Sequence, residues 1–366
     1  MTPYPSRRDF LRLSIGSTLL LSTALACGDD DDPEASAGSS STTATTLAST
    51  TSTTAVPEPQ ALTALMAFPL FLTFIVDVTS VAGGFQEQNG VDLKLEFAQS
   101  APQALQQLAA GNVPVANNAP LAIVQANSQQ GGDFVSIATT NQQSVYRLVS
   151  TEEKNIASLA DLVGATVGFP SLAGNAEQTF DLLLKAHDLD PASVNRVAVG
   201  NDAAALAFAE DGRVDVIFGT NEAATGMRVA GFDAVIAEIP GANPLLGFGL
   251  MARRATIDSH HDVLVDYLRA MHQSVTALLD PTRRTELLPK VRSQFELAQL
   301  DDPAKANPVI DALLTGWTAA GEENIMRNVP ERWEEGVAGF EKLGVAAAGS
   351  DPTSFYTNDL IDEATS

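Results

Sequence analysis

The order strand–helix–strand–helix–strand occurs twice in this chain, and that repetition limits the folds open to it. Residues 61–120 and 162–222 can be laid side by side. "LTALMAFP" (62–69) matches "GATVGFP" (164–170), and each leads through a loop into a helix. "VDLKLEFA" and "VNRVAVG" supply a second strand. "SAPQALQQLAAG" and "NDAAALAFAEDG" supply a helix rich in Ala and Leu. In the first of these Ala101, Leu105, Leu108 and Ala109 recur at helical spacing, Ser100 suits the N-cap, and Gly111 suits a left-handed C-terminal turn. Short apolar strands with polar turns, "VPVANNAP" and "VDVIFGTNEA", close both units. Alternation of this kind predicts an α/β fold with parallel sheets covered by helices on both faces.

The chain's 366 residues suffice for about two domain-sized units, and 45% hydrophobic content suffices for packed cores. After the second unit "NPLLGFGLMARR" reads as a strand returning from the second lobe. Residues 258–345 then read as helices, with Val263, Leu264, Tyr267, Leu268 and Met271 on one apolar face. The expected division is a discontinuous lobe 1 (61–143 plus 248–355) and a lobe 2 (144–247). The crossings near 141–150 and 242–250 act as the hinge.

Ahead of the fold, "SRRDFLRL" carries Arg7-Arg8, and an uncharged apolar stretch runs from Leu13 to Ala26. It is short for a membrane span and fits an export signal, with the Arg pair pointing to the twin-arginine route. Cys27, the only cysteine, closes "STALAC" and cannot form an internal disulfide. Residues 1–27 are therefore expected to be a signal ending at the cysteine. Residues 28–60, an Asp/Ser/Thr tract, form a disordered linker spanning about 30 Å.

Ligands on such sheets bind beyond the carboxyl ends of the strands. Those ends carry Phe68, Phe71 and Phe169 after the first strands, as aromatic walls for a flat ligand. Ser171 and Gly174 follow in a strand–loop–helix turn, with Ser100 as its counterpart in lobe 1; backbone N–H groups converge there. The turn lacks the glycine and lysine pattern of a nucleotide loop. Asn117, Asn118, Asn141, Thr220 and Asn221 offer donors and acceptors for a ligand edge, and Glu222 offers an acceptor for a ring NH or amino group. The histidines, His187, His260, His261 and His272, have no metal spacing, and no nucleophile–base pair can be placed across the cleft. No cofactor, metal or enzymatic activity is expected. A net charge of −24 argues against nucleic acid and against an anionic membrane surface as direct partners.

Taken together, "GGFQEQNGVDLKLEFAQSAPQALQQLAAGNVPVANN", "IASLADLVGATVGFP", "LDPASVNRVAVG" and "DGRVDVIFGTNE" resemble the substrate-binding proteins of bacterial ABC importers. The resemblance covers most of residues 61–345 and points to the group that binds nitrate, alkanesulfonates, taurine or the pyrimidine precursor of thiamine. The ending "VPERWEEGVAGFEKLGVAAAGSDPTSFYTNDL" is similar to the pyrimidine-binding branch. "STALAC" resembles the lipobox of lipoproteins, with Ala24 and Leu25 departing from its usual leucine position.

The resemblance implies a two-lobed periplasmic-binding-protein fold (type II-like), with the ligand cleft between lobes joined by two crossing strands. It further implies a monomer that delivers a small-molecule ligand to permease subunits. Acylation of Cys27 would anchor the protein to the outer face of the cytoplasmic membrane. Paired phenylalanines, amides and one carboxylate favour a heteroaromatic nutrient such as a thiamine-type pyrimidine or a flavin. An organic sulfonate, taurine or nitrate held on backbone N–H groups is the alternative, as is an enzyme of pyrimidine synthesis on the same fold. Fungal enzymes of that kind carry a cysteine cluster, which Cys27 alone does not supply.

Overall fold

The two repeated units each build a five-stranded sheet. The computed structural model describes residues 58–366 apart from 201–204, 240–244 and 246. The expected signal, Cys27 and linker residues 28–57 therefore lie outside the described residues, as does Asn201, the expected start of the second Ala-rich helix. The first sheet contains β1 (Gln60–Met66), β2 (Val91–Phe97), β3 (Val115–Asn118), β4 (Phe134–Thr139) and, from far along the chain, β10 (Gly249–Arg253). The second contains β5 (Tyr146–Thr151), β6 (Thr166–Phe169), β7 (Asn195–Ala198), β8 (Val216–Thr220) and β9 (Ala234–Ala237).

Strand orders are β2-β1-β3-β10-β4 and β7-β6-β8-β5-β9. The two sheets follow one plan. β1 runs parallel to β2 and β3, as β6 does to β7 and β8. The fourth strand, β10 or β5, is antiparallel to both neighbours, and it is the strand that has just crossed from the other sheet. This is the two-lobed binding-protein architecture expected from the sequence.

Helices cover the sheets. α1 (Ile75–Ala82), α2 (Phe85–Gln88), α3 (Ala101–Ala109) and α4 (Pro120–Gln130) belong to the first unit. α5 (Asn175–Ala186), α6 (Leu206–Glu210) and α7 (Asn221–Val229) belong to the second. After β10 come α8 (Arg254–Ser259), α9 (His261–Leu279), α10 (Pro281–Phe295), α11 (Pro303–Trp317), α12 (Pro330–Lys342) and α13 (Asp359–Thr365). Pro120, Pro281, Pro303 and Pro330 stand in first turns, where a missing N–H is no loss. Gly111 takes φ +72° after α3, as its place in the turn requires.

α9 buries Val263, Leu264, Tyr267, Leu268 and Met271 against the first unit's core. α13 buries Leu360 and Ile361 in that core too, so the chain packs on this lobe beyond residue 355, where the sequence reading ended it. The Trp-containing α12 and the Tyr-Thr-Asn stretch form a buttress. The Trp333 ring stacks on Tyr356 at 5.2 Å, and Asn328 Oδ1 accepts from Ser136 Oγ, Thr139 Oγ1 and Trp333 Nε1.

The two crossings lie against each other. Thr140 N and Asn141 N both donate to the Phe248 carbonyl, at 2.9 and 3.1 Å. A Cβ on Gly247 would stand 2.0 Å from the Asn141 carbonyl oxygen, so only glycine permits this approach. α11 closes the third side. Gln142 N donates to the Gly316 carbonyl at 2.9 Å, and a Cβ on Gly316 would meet the Asn141 side chain. Among the described residues no helix is long and apolar enough to cross a membrane.

Candidate functional site

Beyond the carboxyl ends of β1, β2, β6, β7 and β8 lies a cavity of about 240 Å³ between the two sheets. Its walls are aromatic and neutral polar: Phe68, Phe71 and Phe74 from one side, Tyr146, Ser171, Asn175 and Thr220 from the other, and Phe248 from the crossing. A smaller inner cavity of about 20 Å³ adjoins it and shares Phe68, Thr73, Phe74 and Phe248. Asp77, Asn117, Asn141, Glu222 and Trp317 also line the inner cavity. Neither lining includes Lys, Arg or His.

Phe68 sits half-buried just past β1, edge-on to Phe248 with centroids 6.0 Å apart. Its expected twin does not face it. Phe169 is fully buried, packed on Phe180 at 5.1 Å and near Phe218 at 6.0 Å. Alternation along β6 explains the burial of Phe169. Phe169 is the last residue of β6, in step with Val167, and both point into the core beneath α5. Phe68 lies two residues beyond β1, where the pleat no longer assigns it a face. The second sheet instead contributes Tyr146 from β5, stacked on Phe218 at 4.7 Å. Burial raises the Tyr146 hydroxyl's pKa, so it stays a neutral phenol.

The amides divide. Asn117 and Asn141 line the inner cavity. Asn118 does not read a ligand edge: its Nδ2 donates to the Ala101 carbonyl at 3.0 Å, while its Oδ1 accepts from Ala119 N and from Asn175 Nδ2 at 2.8 Å. The last bond joins the end of β3 to the start of α5, tying one sheet's unit to the other. Asn221 is half-buried and lines neither cavity; its N–H donates to Val145 O at 2.7 Å.

Thr220 lines the outer cavity and caps α7, accepting from Ala223 N at 3.2 Å. Ser100 occupies the N-cap position of α3 without a side-chain cap and lines neither cavity, whereas Gln99 beside it lines the outer one. Ser171 lines the outer cavity; Gly174 caps α5 by position, and a Cβ there would stand 2.7 Å from Ser171 Oγ. Asn175, the first residue of α5, is the group this turn presents.

Two carboxyl groups reach the inner cavity. Burial pushes Glu222 above the usual carboxylate range; its hydrogen bonds and Arg147 oppose that only in part. Arg147 itself donates to the Ser144 and Tyr146 carbonyls and stands 3.6 Å from Glu238. Asp77 on α1 is 3% exposed, and among the described residues its Oδ1 has no hydrogen-bond partner. Burial pushes its pKa up to about 7. Sequence reading missed Asp77. The available signal was an acid on the apolar face of "FIVDVTSVA". Trp317 came from α11, too far along the chain for any local pattern to place it. Among the described residues no group of His, Cys, Asp and Glu is arranged to hold a metal ion.

The sequence profile of the NMT1/THI5-like family matches residues 73–283. The chain is 25% identical over 198 residues to the formylaminopyrimidine-binding protein of Halalkalibacterium halodurans, a match covering 52% of this chain and 58% of that relative's length. Among solved structures, a protein of Bordetella bronchiseptica RB50 aligns with TM-score 0.65 and 18% identity over 83% of this chain and 96% of the other. The periplasmic aliphatic sulphonate binding protein of Escherichia coli aligns with TM-score 0.59 and 16% identity over 83% and 100%. At these identities the structural likeness speaks to fold.

Proposed function

The chain belongs to the NMT1/THI5-like family, and from that premise we propose that it is the extracytoplasmic solute-binding component of an ABC importer, taking a small heteroaromatic nutrient of the thiamine-pyrimidine type. The observation that carries this reading is the cleft itself. A cavity of about 240 Å³ has the scale of a single-ring ligand, below the roughly 300 Å³ at which drug-sized pockets begin. Phe68, Phe248 and Tyr146 offer ring faces and edges. Asn117, Asn141 and Glu222 offer the donors and acceptors that an aminopyrimidine edge matches. The pyrimidine named for the Halalkalibacterium relative supports the same ligand class. Lobe movement about the paired crossings would admit and release the ligand to a permease. Acylation at Cys27 would keep the protein at the outer face of the membrane.

One observation favours a second reading. α5 opens at the outer cavity with Ser171 and Asn175 in its wall, an arrangement that can hold a sulfonate, taurine or nitrate on backbone N–H groups. The two carboxyl groups of the adjoining cavity weigh against an anion. Native mass spectrometry of the purified protein, followed by thermal shift against pyrimidines, sulfonates, taurine and nitrate, tests the choice. A pyrimidine should raise the Tm and lower the radius of gyration in solution scattering. Stabilisation by the anions alone would overturn the pyrimidine reading.

A further inference from the structure

We propose that the inner cavity is a cation subsite, in which Asp77 from one lobe and Glu222 from the other hold a protonated amino group carried on the ligand. The proposal rests on the reading of the cleft as a pyrimidine site and specifies the chemistry of the substituent. Three independent observations meet there. First, both carboxyl groups line one cavity, and they come from helices on different sheets, α1 and α7. Second, Asp77 Oδ1 is buried without a hydrogen-bond partner, which folding leaves as a cost unless a donor arrives. Among the described residues no cation lines the cavity to supply one, and Arg147 is engaged with Ser144, Tyr146 and Glu238.

Third, the space fits. About 20 Å³ accommodates one water-sized group, which an ammonium head matches and a ring does not. Phe68, Phe74, Phe248 and Trp317 line it, and an aromatic lining suits a positive charge more than a hydroxyl. A ring in the outer cavity would therefore direct its aminomethyl arm inward, between the two lobes. Because each lobe provides one carboxylate, the bound cation also favours the closed arrangement.

The experiment is isothermal titration of ligand-stripped full-length protein with two isosteric probes, 4-amino-5-aminomethyl-2-methylpyrimidine and its 5-hydroxymethyl counterpart. Wild type should bind the aminomethyl probe about tenfold or more tightly, the scale of a hydrogen bond to a buried charged group. Asp77→Asn should remove most of that preference, weakening the aminomethyl probe far more than the hydroxymethyl one, since the lost term belongs to charge pairing. Equal affinity of wild type for the two probes, which needs no variant, overturns the cation subsite and leaves the pyrimidine reading standing. Binding of neither probe overturns both.

Discussion

Asp77→Asn should stabilise the ligand-free protein, and the gain should depend on pH in a way that the structure specifies. Asp77 has an ordinary value of 3.8, raised to about 7 by burial. For an acid whose folded value lies above its unfolded one, the folded state holds the proton more tightly. The stability linked to that proton is complete below pH 3.8 and is lost as pH rises to 7. At about 1.36 kcal/mol per pH unit, the full loss is about 4 kcal/mol above pH 7, and less than half of it is already present at pH 5.

Asparagine never ionises, so any hydrogen-bonding penalty it brings is the same at both pH values. The difference between variant and wild type should therefore grow by about 3 kcal/mol between pH 5 and pH 8. Urea unfolding followed by tryptophan fluorescence at the two pH values measures it, since Trp317 and Trp333 are both buried. A difference that is unchanged within about 0.5 kcal/mol would refute the reasoning. It would show that Asp77 finds a partner or water that removes the cost of burial. Such a group, unfavourable to the empty fold, fits a residue retained for a ligand.

Phe68→Ala should weaken pyrimidine binding by about 1–3 kcal/mol in titration calorimetry, by analogy with base–aromatic stacking, at little cost in stability. Phe169→Ala should instead lower stability by about 3–5 kcal/mol in urea unfolding, as a core truncation does; reversal of those two outcomes would return Phe169 to the cleft. Gly247→Ala should lower the Tm by several degrees, because its Cβ would stand 2.0 Å from the Asn141 carbonyl oxygen and the crossings would have to separate. An unchanged Tm would mean that the crossings are not pressed together in solution. Cys27→Ala should move the protein from the membrane to the soluble fraction on cell fractionation, and continued membrane association would exclude acylation there.

The sequence by itself determined the plan of the fold, because strand and helix periodicities and turn chemistry are local. The doubled unit, the left-handed Gly111 and the placing of candidate groups at strand ends were all legible without coordinates, whereas the cap made by Thr220 was not. Legible too was an acid, Glu222, just past a buried strand, though the sequence read a turn where α7 begins. What local pattern cannot report is what covers a buried face. Phe68 and Phe169 look equivalent in sequence, yet one borders a cavity and the other packs under α5. A residue's register against the pleat differs by a step that only pairing fixes. Asp77 reads as an interruption of an apolar helix until α7 brings Glu222 to the same cavity. Trp317 reaches that cavity only because α11 packs beside the crossings. Asn118, a plausible ligand amide in sequence, is engaged by Ala101, Ala119 and Asn175 once β3 and α5 meet. Sequence periodicity encodes which side of an element is removed from water; whether protein or ligand removes it is decided by long-range packing.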